Sequence, residues 1–143
     1  MNLLIASDHA GILIKSELIK YLKSNEHIVK DLGTFSKESV NYPDYSYKVA
    51  QSINIDNYNK AIVICSTGEG ISIATNRYKG IRCMLCNKID LAITARKFFD
   101  INVLGLGANN HHDSLYQIVD AFLYTEFDAS AKNISKRDNL NKL

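Results

Sequence analysis

Ala61-Ile-Val-Ile-Cys65-Ser-Thr-Gly-Glu-Gly70-Ile-Ser-Ile-Ala-Thr-Asn76 decides how the rest of the chain is read. Ala61 to Ile64 is a short, continuous apolar run rich in β-branched residues, which reads as a buried strand. Cys65 ends it. Gly68 and Gly70 allow a tight turn and a close approach to a ligand, and Ile71, Ile73 and Ala74 then resume at helical spacing. The N–H groups of the loop and of the helix start converge on one small volume that also receives a thiol and a hydroxyl. Such a setting suits an anion.

On the amino-terminal side, Asn2 to Ser7 reads as a strand ending at Asp8-His9-Ala10-Gly11, and Ile14, Leu18 and Leu22 mark a helix closed by Ser24-Asn25. Ile28 to Leu32 is a second strand. A polar loop from Gly33 to Tyr42 leads to Pro43, which suits the first turn of a helix carrying Tyr45, Val49 and Ile53. On the carboxyl side, Lys79-Gly80 turns the chain into a strand from Ile81 to Leu85. Asn87 is expected to cap a helix with Leu91, Ala92, Ala95 and Phe98 along one side. Ile101 to Leu106 is the fifth strand, and Asp113 is expected to cap a helix with Leu115, Ile118, Val119 and Phe122. The polar tail from Asp128 to Leu143 holds one more, mostly exposed helix.

Strands alternating with helices five times over predict an α/β fold, an open parallel sheet covered on both faces. With strand order 2-1-3-4-5, the ligand crevice beyond the carboxyl ends falls between strands 1 and 3. Asp8-His9 and Cys65 to Gly70 then face each other across it. At 143 residues, 46% of them hydrophobic, residues 1–143 are expected to form a single domain around one core. The formal net charge of +2 is interspersed, so neither nucleic acid nor a membrane is indicated as partner. No apolar run has the length of a membrane span, and Met1-Asn-Leu-Leu-Ile-Ala leads into an acidic residue rather than a cleavage site. Three cysteines cannot all pair within one chain, which fits a reducing, cytoplasmic setting.

Each candidate has a plainer reading. A cysteine ending a buried strand is most often a small core hydrophobe, but a helix N-terminus favours the thiolate, which is both base and nucleophile. Asp8-His9 can simply cap the first helix. Tyr42 either covers the sheet edge or closes over a ligand. Lys132 and Lys136 read by default as a solvated helix face. Cys83-Met-Leu-Cys86 has metal-pair spacing but lies at a strand end, where residues three apart point to opposite faces. His111-His112 lacks a partner at ligand spacing and reads as a surface loop.

The opening Ile-Ala-Ser-Asp8-His9-Ala-Gly, the pairs Gly33-Thr34 and Tyr42-Pro43, Ile-Cys65-Ser-Thr67-Gly-Glu-Gly70-Ile-Ser-Ile-Ala-Thr-Asn76, Gly80-Ile-Arg82 and Asn102-Val-Leu-Gly-Leu-Gly107 resemble the type B ribose-5-phosphate isomerase family. The resemblance runs from Met1 to about Thr125, and the same superfamily includes galactose-6-phosphate isomerase subunits. It implies a Rossmann-like domain, a homodimer or dimer of dimers, no metal or cofactor, and an active site shared between two subunits. It also implies that Cys65 is the base moving a proton between C2 and C1 of the open-chain sugar. Thr67 and the N–H groups of residues 66 to 70 (Ser66, Thr67, Gly68, Glu69, Gly70) would stabilise the enediolate. Asp8, His9 and Tyr42 match sugar-holding residues, and Lys132 and Lys136 match a basic, phosphate-holding pair.

Some positions depart from that family. Arg96-Lys-Phe98-Phe99-Asp100 has Phe98 where the family has the histidine that opens the sugar ring. Asn109 stands at a substrate-binding position commonly held by a phosphate-binding arginine, and Asn133 replaces a further histidine. Lys at 132 and 136 keeps the charge but gives up the bidentate fork of arginine. The leading expectation is an isomerase of ribose 5-phosphate and ribulose 5-phosphate. A six-carbon substrate, galactose 6-phosphate or allose 6-phosphate, is the alternative, followed by a flavodoxin-like module that holds phosphate without chemistry. A phosphatase with Cys65 as nucleophile needs an arginine six residues on, where the chain has Ile71.

Overall fold

The computed structural model describes residues 1–110 and 114–143. Its core is a five-stranded, all-parallel sheet of β1 (Asn2–Ser7), β2 (Ile28–Asp31), β3 (Lys60–Cys65), β4 (Cys83–Leu85) and β5 (Val103–Gly107). Six α-helices accompany it among the described residues: α1 (Ile12–Ser24), α2 (Tyr42–Ser52), α3 (Glu69–Thr75), α4 (Ile89–Phe99), α5 (Leu115–Tyr124) and α6 (Ala131–Leu140). A single 3-10 turn, His9–Gly11, joins β1 to α1. The Rossmann-like class and the alternation of elements are as the sequence predicts.

The strand order is not. The sheet runs β2-β1-β3-β5-β4, so β5, not β4, lies beside β3. The cause lies in which face each helix covers. Alternation along the strands sends Leu3, Ile5, Ile62, Ile64, Leu104 and Leu106 to one side, where α1, α4 and α5 pack through Leu18, Leu22, Ala92, Ala95, Ile118 and Phe122. Leu4, Ala6, Ala61, Val63, Cys65 and Val103 point the other way, against Tyr45 and Val49 of α2 and Ile71 of α3. Right-handed crossovers make the face of a connecting helix fix the direction of the step. Helices α2 and α3, on one face, carry the chain outward to β3 and then past a vacant position to β4. Helix α4, on the opposite face, brings it back, and β5 fills the gap. Three-residue, half-buried β4 suits an edge, and fully buried Val-Leu-Gly-Leu-Gly suits the interior.

The crevice between β1 and β3 is unaffected, because those strands are neighbours in either order. Smaller corrections concern helix starts and stripes. The first residue before α4 is Lys88, with extended backbone and no side-chain cap, so Asn87 lies one residue too early to serve. Phe98 shares the face of Ala95 but is partly exposed, in the last turn of α4, whose buried residues are Ala92, Ala95 and Arg96. Ile73 is exposed on the short α3, whose buried residues are Ile71, Ser72 and Thr75. The expected cap Asp113 and the pair His111-His112 lie outside the described residues. No helix among the described residues is long and apolar enough to cross a membrane.

Candidate active site

Backbone ladders bring three loops together at the carboxyl end of the sheet. The N–H of Asp8 donates to the Ile64 carbonyl at 3.1 Å, which sets Asp8 alongside the residue before Cys65. On the other side of β3, the N–H of Ala108 donates to the Cys65 carbonyl and that of Asn109 to the Ser66 carbonyl, both at 2.8 Å. Asp8, Cys65, Ser66 and Asn109 are therefore adjacent because β1, β3 and β5 are adjacent, as topology demands of a switch-point site.

Within the central loop the thiol is a hydrogen-bond acceptor. The Gly68 N–H donates to Cys65 Sγ at 3.2 Å, and Cys65 is buried. That geometry needs Gly68 in the left-handed region, φ +81°, and needs it without a side chain. A Cβ there would meet Leu85 Cδ1 at 2.5 Å, the Leu106 carbonyl carbon at 2.7 Å and the Gly107 nitrogen at 2.8 Å. Gly107 is constrained in turn, since its own Cβ would strike the Thr67 carbonyl. The loop after β5 and the Cys65–Gly70 loop are thus pressed together at two glycines.

Thr67 is exposed, and its Oγ1 accepts from the Glu69 N–H at 3.3 Å, which leaves its hydroxyl proton for a ligand. Of the five backbone donors expected from residues 66 to 70, two are committed: Gly68 to the thiol and Glu69 to Thr67. The amides of Ser66, Thr67 and Gly70 are the ones not engaged by a side chain of the loop. Tyr42, at the start of α2, lies against Gly70, where a Cβ would sit 2.7 Å from Tyr42 Cζ. This contact sets the Tyr42 ring beside the glycine loop.

Asp8 does cap the first turn, its Oδ1 accepting from the Ala10 N–H at 3.0 Å. His9 Nδ1 accepts from the Val40 N–H at 3.2 Å, which places the ring proton of the neutral imidazole on Nε2 and ties the 33–41 loop to the site. Lys15, which sequence reasoning passed over, braces that loop. Its buried ammonium donates to Asp31 Oδ1 at 2.7 Å and to the Thr34 carbonyl at 2.6 Å. A lysine on the buried side of an amphipathic helix was the available signal.

Lys132 and Lys136 do not join this group within one chain. Helix α6 is anchored at the amino end of the sheet. Asn133 donates to the Asp128 carbonyl, the Asp128 N–H donates to the Lys97 carbonyl, Arg137 reaches Asp100, and Asn141 accepts from Arg82. Arg82 precedes β4 and Asp100 precedes β5, whereas Cys65 ends β3. Strand length separates the two ends by about 17 Å. Phe98 and Phe99 also belong to the amino end, both partly exposed. A cavity of ≈ 580 Å³ there is lined by Tyr78, Met84, Phe99, Leu140 and Leu143 among others.

The two set-aside cysteines behave as expected. Cys83 packs on the α2 and α3 side and Cys86 on the opposite side, so the thiols do not converge. Burial pushes both up to about 12, far from a metal-binding thiolate at neutral pH. Among the described residues, no group of three or more His, Cys, Asp or Glu is arranged to hold a metal ion.

The chain matches the family described as Ribose/Galactose Isomerase over residues 3–140. It is similar to the Clostridium thermocellum ribose-5-phosphate isomerase B structure, at 37% identity and a TM-score of 0.94, with 99% of this chain and 96% of that one covered. The corresponding Thermotoga maritima structure gives 40% identity and a TM-score of 0.93, covering 99% and 98%. Ribose-5-phosphate isomerase B of Escherichia coli is 37% identical over 122 residues, 85% of this chain and 82% of that protein.

Proposed function

The chain belongs to the ribose/galactose isomerase family and is a sugar-phosphate isomerase, and from that premise we propose that it interconverts ribose 5-phosphate and ribulose 5-phosphate with Cys65 as the base. The observation that carries this reading is the Gly68 N–H donated to Cys65 Sγ at 3.2 Å, which fixes the sulfur as an acceptor at the centre of a donor-rich loop. The thiolate removes the C2 proton of the open-chain aldose, and the electron pair moves through C1–C2 onto the carbonyl oxygen. Thr67 Oγ1–H and the Ser66 and Gly70 amides face the resulting enediolate, which is most stabilised where fixed donors meet developing charge. The proton returns from the thiol to C1, and the O2 proton passes to O1, so atoms balance with no cofactor. Asp8, His9, Tyr42 and Asn109 hold the sugar, and Glu69 borders the loop at its solvent side.

The phosphate is assigned to Lys132 and Lys136. Because α6 sits at the opposite end of the sheet from Cys65 of the same chain, these lysines serve the site of a second copy. The active unit is then a homodimer, or a dimer of dimers, with shared sites. Partly exposed Phe98, Phe99 and Leu140, near the edge strand β4, offer apolar surface for that contact. Buried thiols without disulfides are in keeping with a cytoplasmic enzyme. Phe98, which cannot transfer a proton, favours a second reading, a six-carbon sugar phosphate whose ring opening relies on another group. Initial rates on ribose 5-phosphate, ribulose 5-phosphate, galactose 6-phosphate and allose 6-phosphate decide between the two. Highest kcat/KM on the pentose pair supports the first reading, and highest kcat/KM on a hexose phosphate replaces it.

A further inference from the structure

At the amino end of the sheet, remote from Cys65, a second cavity of ≈ 500 Å³ is lined by Lys60, Lys79, Arg82, Arg96 and a single carboxylate, Asp100. Four cations against one anion leave the lining at +3. Asp100 is already fully engaged. Its Oδ1 meets Arg96 at 2.7 Å, and its Oδ2 is shared by Arg137 at 3.4 Å and Arg82 at 3.6 Å. Arg82 and Arg96 are also pinned by carbonyls of Asp100 and Ile101, so neither guanidinium can swing away from the cavity without losing bonds.

Lys60 is the group this network leaves without a partner. Its ammonium has no ion pair or hydrogen bond among the described residues, although it is half-buried as the first residue of the central strand. Burial, then the neighbouring Arg96, lower its proton affinity, and Asp100 compensates only in part. A half-buried cation beside another cation is disfavoured unless an anion enters. The side chains of Asn54 and Asn59 also line the cavity and make no hydrogen bond among the described residues, so amide groups are available beside the charge. The volume exceeds that of inorganic phosphate and falls in the range of small-metabolite sites.

We propose that this cavity is a second anion site, separate from the catalytic loop, that takes a phosphate monoester of a small hydroxylated metabolite. Lys60, Lys79, Arg82 and Arg96 meet the phosphate, and Asn54 and Asn59 meet hydroxyls.

Inorganic phosphate is the probe. The background is the Lys132→Ala/Lys136→Ala protein, which removes the phosphate contacts proposed for catalysis, and the test variant adds Lys60→Gln and Lys79→Gln. Titration followed by backbone amide shifts at constant ionic strength is expected to move Lys60, Gly80 and Asn102 in the background protein. The added substitutions should weaken the apparent Kd by at least about tenfold, the loss of charge-assisted hydrogen bonds. In phosphate-free buffer the Lys60→Gln protein should melt no lower than its parent, since the desolvation and the repulsion from Arg96 that it relieves outweigh the attraction of Asp100, and no hydrogen bond is lost. Shifts confined to Thr67 and Gly70, or an unchanged Kd in the test variant, overturn the site. A lowered melting temperature for Lys60→Gln without phosphate would show Lys60 to be internally satisfied, and likewise overturn it. None of these results depends on the identity of the isomerase substrate.

Discussion

Gly68→Ala tests the packing of the catalytic loop, and Gly80→Ala serves as its control. Both glycines have positive φ, +81° and +79°. An alanine in that region costs about 1–2 kcal/mol from backbone sterics alone. Around Gly80 no atom lies within 4 Å of an added Cβ, so the conformational cost is the whole effect. Around Gly68 the added Cβ meets Leu85 at 2.5 Å and two backbone atoms at 2.7 and 2.8 Å. The leucine tip can move, but the backbone of Leu106 and Gly107 belongs to the interior strand β5 and cannot move cheaply. Overpacking of this kind adds about 1–3 kcal/mol, which brings Gly68→Ala to roughly 2–5 kcal/mol in total. Urea unfolding should therefore show a clearly larger midpoint shift for Gly68→Ala than for Gly80→Ala. Isomerase turnover should fall only for Gly68→Ala, since displacement of its N–H removes the hydrogen bond to Cys65 Sγ. Equal midpoint shifts for the two variants, or wild-type turnover for Gly68→Ala, would refute the view that the two loops are pressed together to hold the thiol.

Asp100→Asn keeps a residue tolerant of the positive φ of 48° but leaves Arg96 and Arg82 facing each other uncompensated, and is expected to destabilise the fold by about 3 kcal/mol, measured as a urea midpoint shift. His27, whose ring contacts the terminal amine and Tyr124 Oη, has its pKa lowered by burial first and by the amine second. With the unfolded value near about 6.5, the unfolded chain takes up the proton first. Stability should be unaffected by His27 above that pH and should fall as the pH drops from there toward the folded value. His27→Gln should flatten that acid limb, and an unchanged slope between pH 7.5 and 5.5 would count against it. Phe98→His, acting at the site of a second copy because residue 98 lies at the amino end of the sheet, is expected to raise turnover from ribose 5-phosphate, which arrives mostly as a closed ring, more than from ribulose 5-phosphate, which arrives open. Identical effects on both substrates would remove ring opening from the account of that position.

The stretch around Cys65 was legible because a strand, a glycine turn and a short helix each leave a strong local signature. The pairing of β1 with β3 then placed Asp8 beside it. The exchange of β4 and β5 was not legible. It depends on which face of the sheet α4 covers, and an amphipathic stripe of Leu91, Ala92 and Ala95 has the same appearance on either side. The Asp100 cluster was missed for a related reason. Arg82, Arg96 and Arg137 are far apart in sequence, and only the turn at Asp100 and the return of α6 bring them to one carboxylate. The i,i+4 pair Arg96 and Asp100 was the one local clue. Lys132 and Lys136 fit the family pattern, but their place relative to Cys65 follows from where α6 is anchored, which a polar tail does not reveal.

The claim that Cys65 is the base is tested most directly by Cys65→Ala, comparing isomerisation of ribose 5-phosphate with its binding in the same protein. A positioned general base contributes about 10²–10⁴-fold, so turnover should fall by at least about a hundredfold while the affinity for the sugar phosphate and the urea midpoint stay close to wild type. Wild-type turnover in Cys65→Ala would contradict the account and pass the role to Glu69, the remaining carboxylate of the loop.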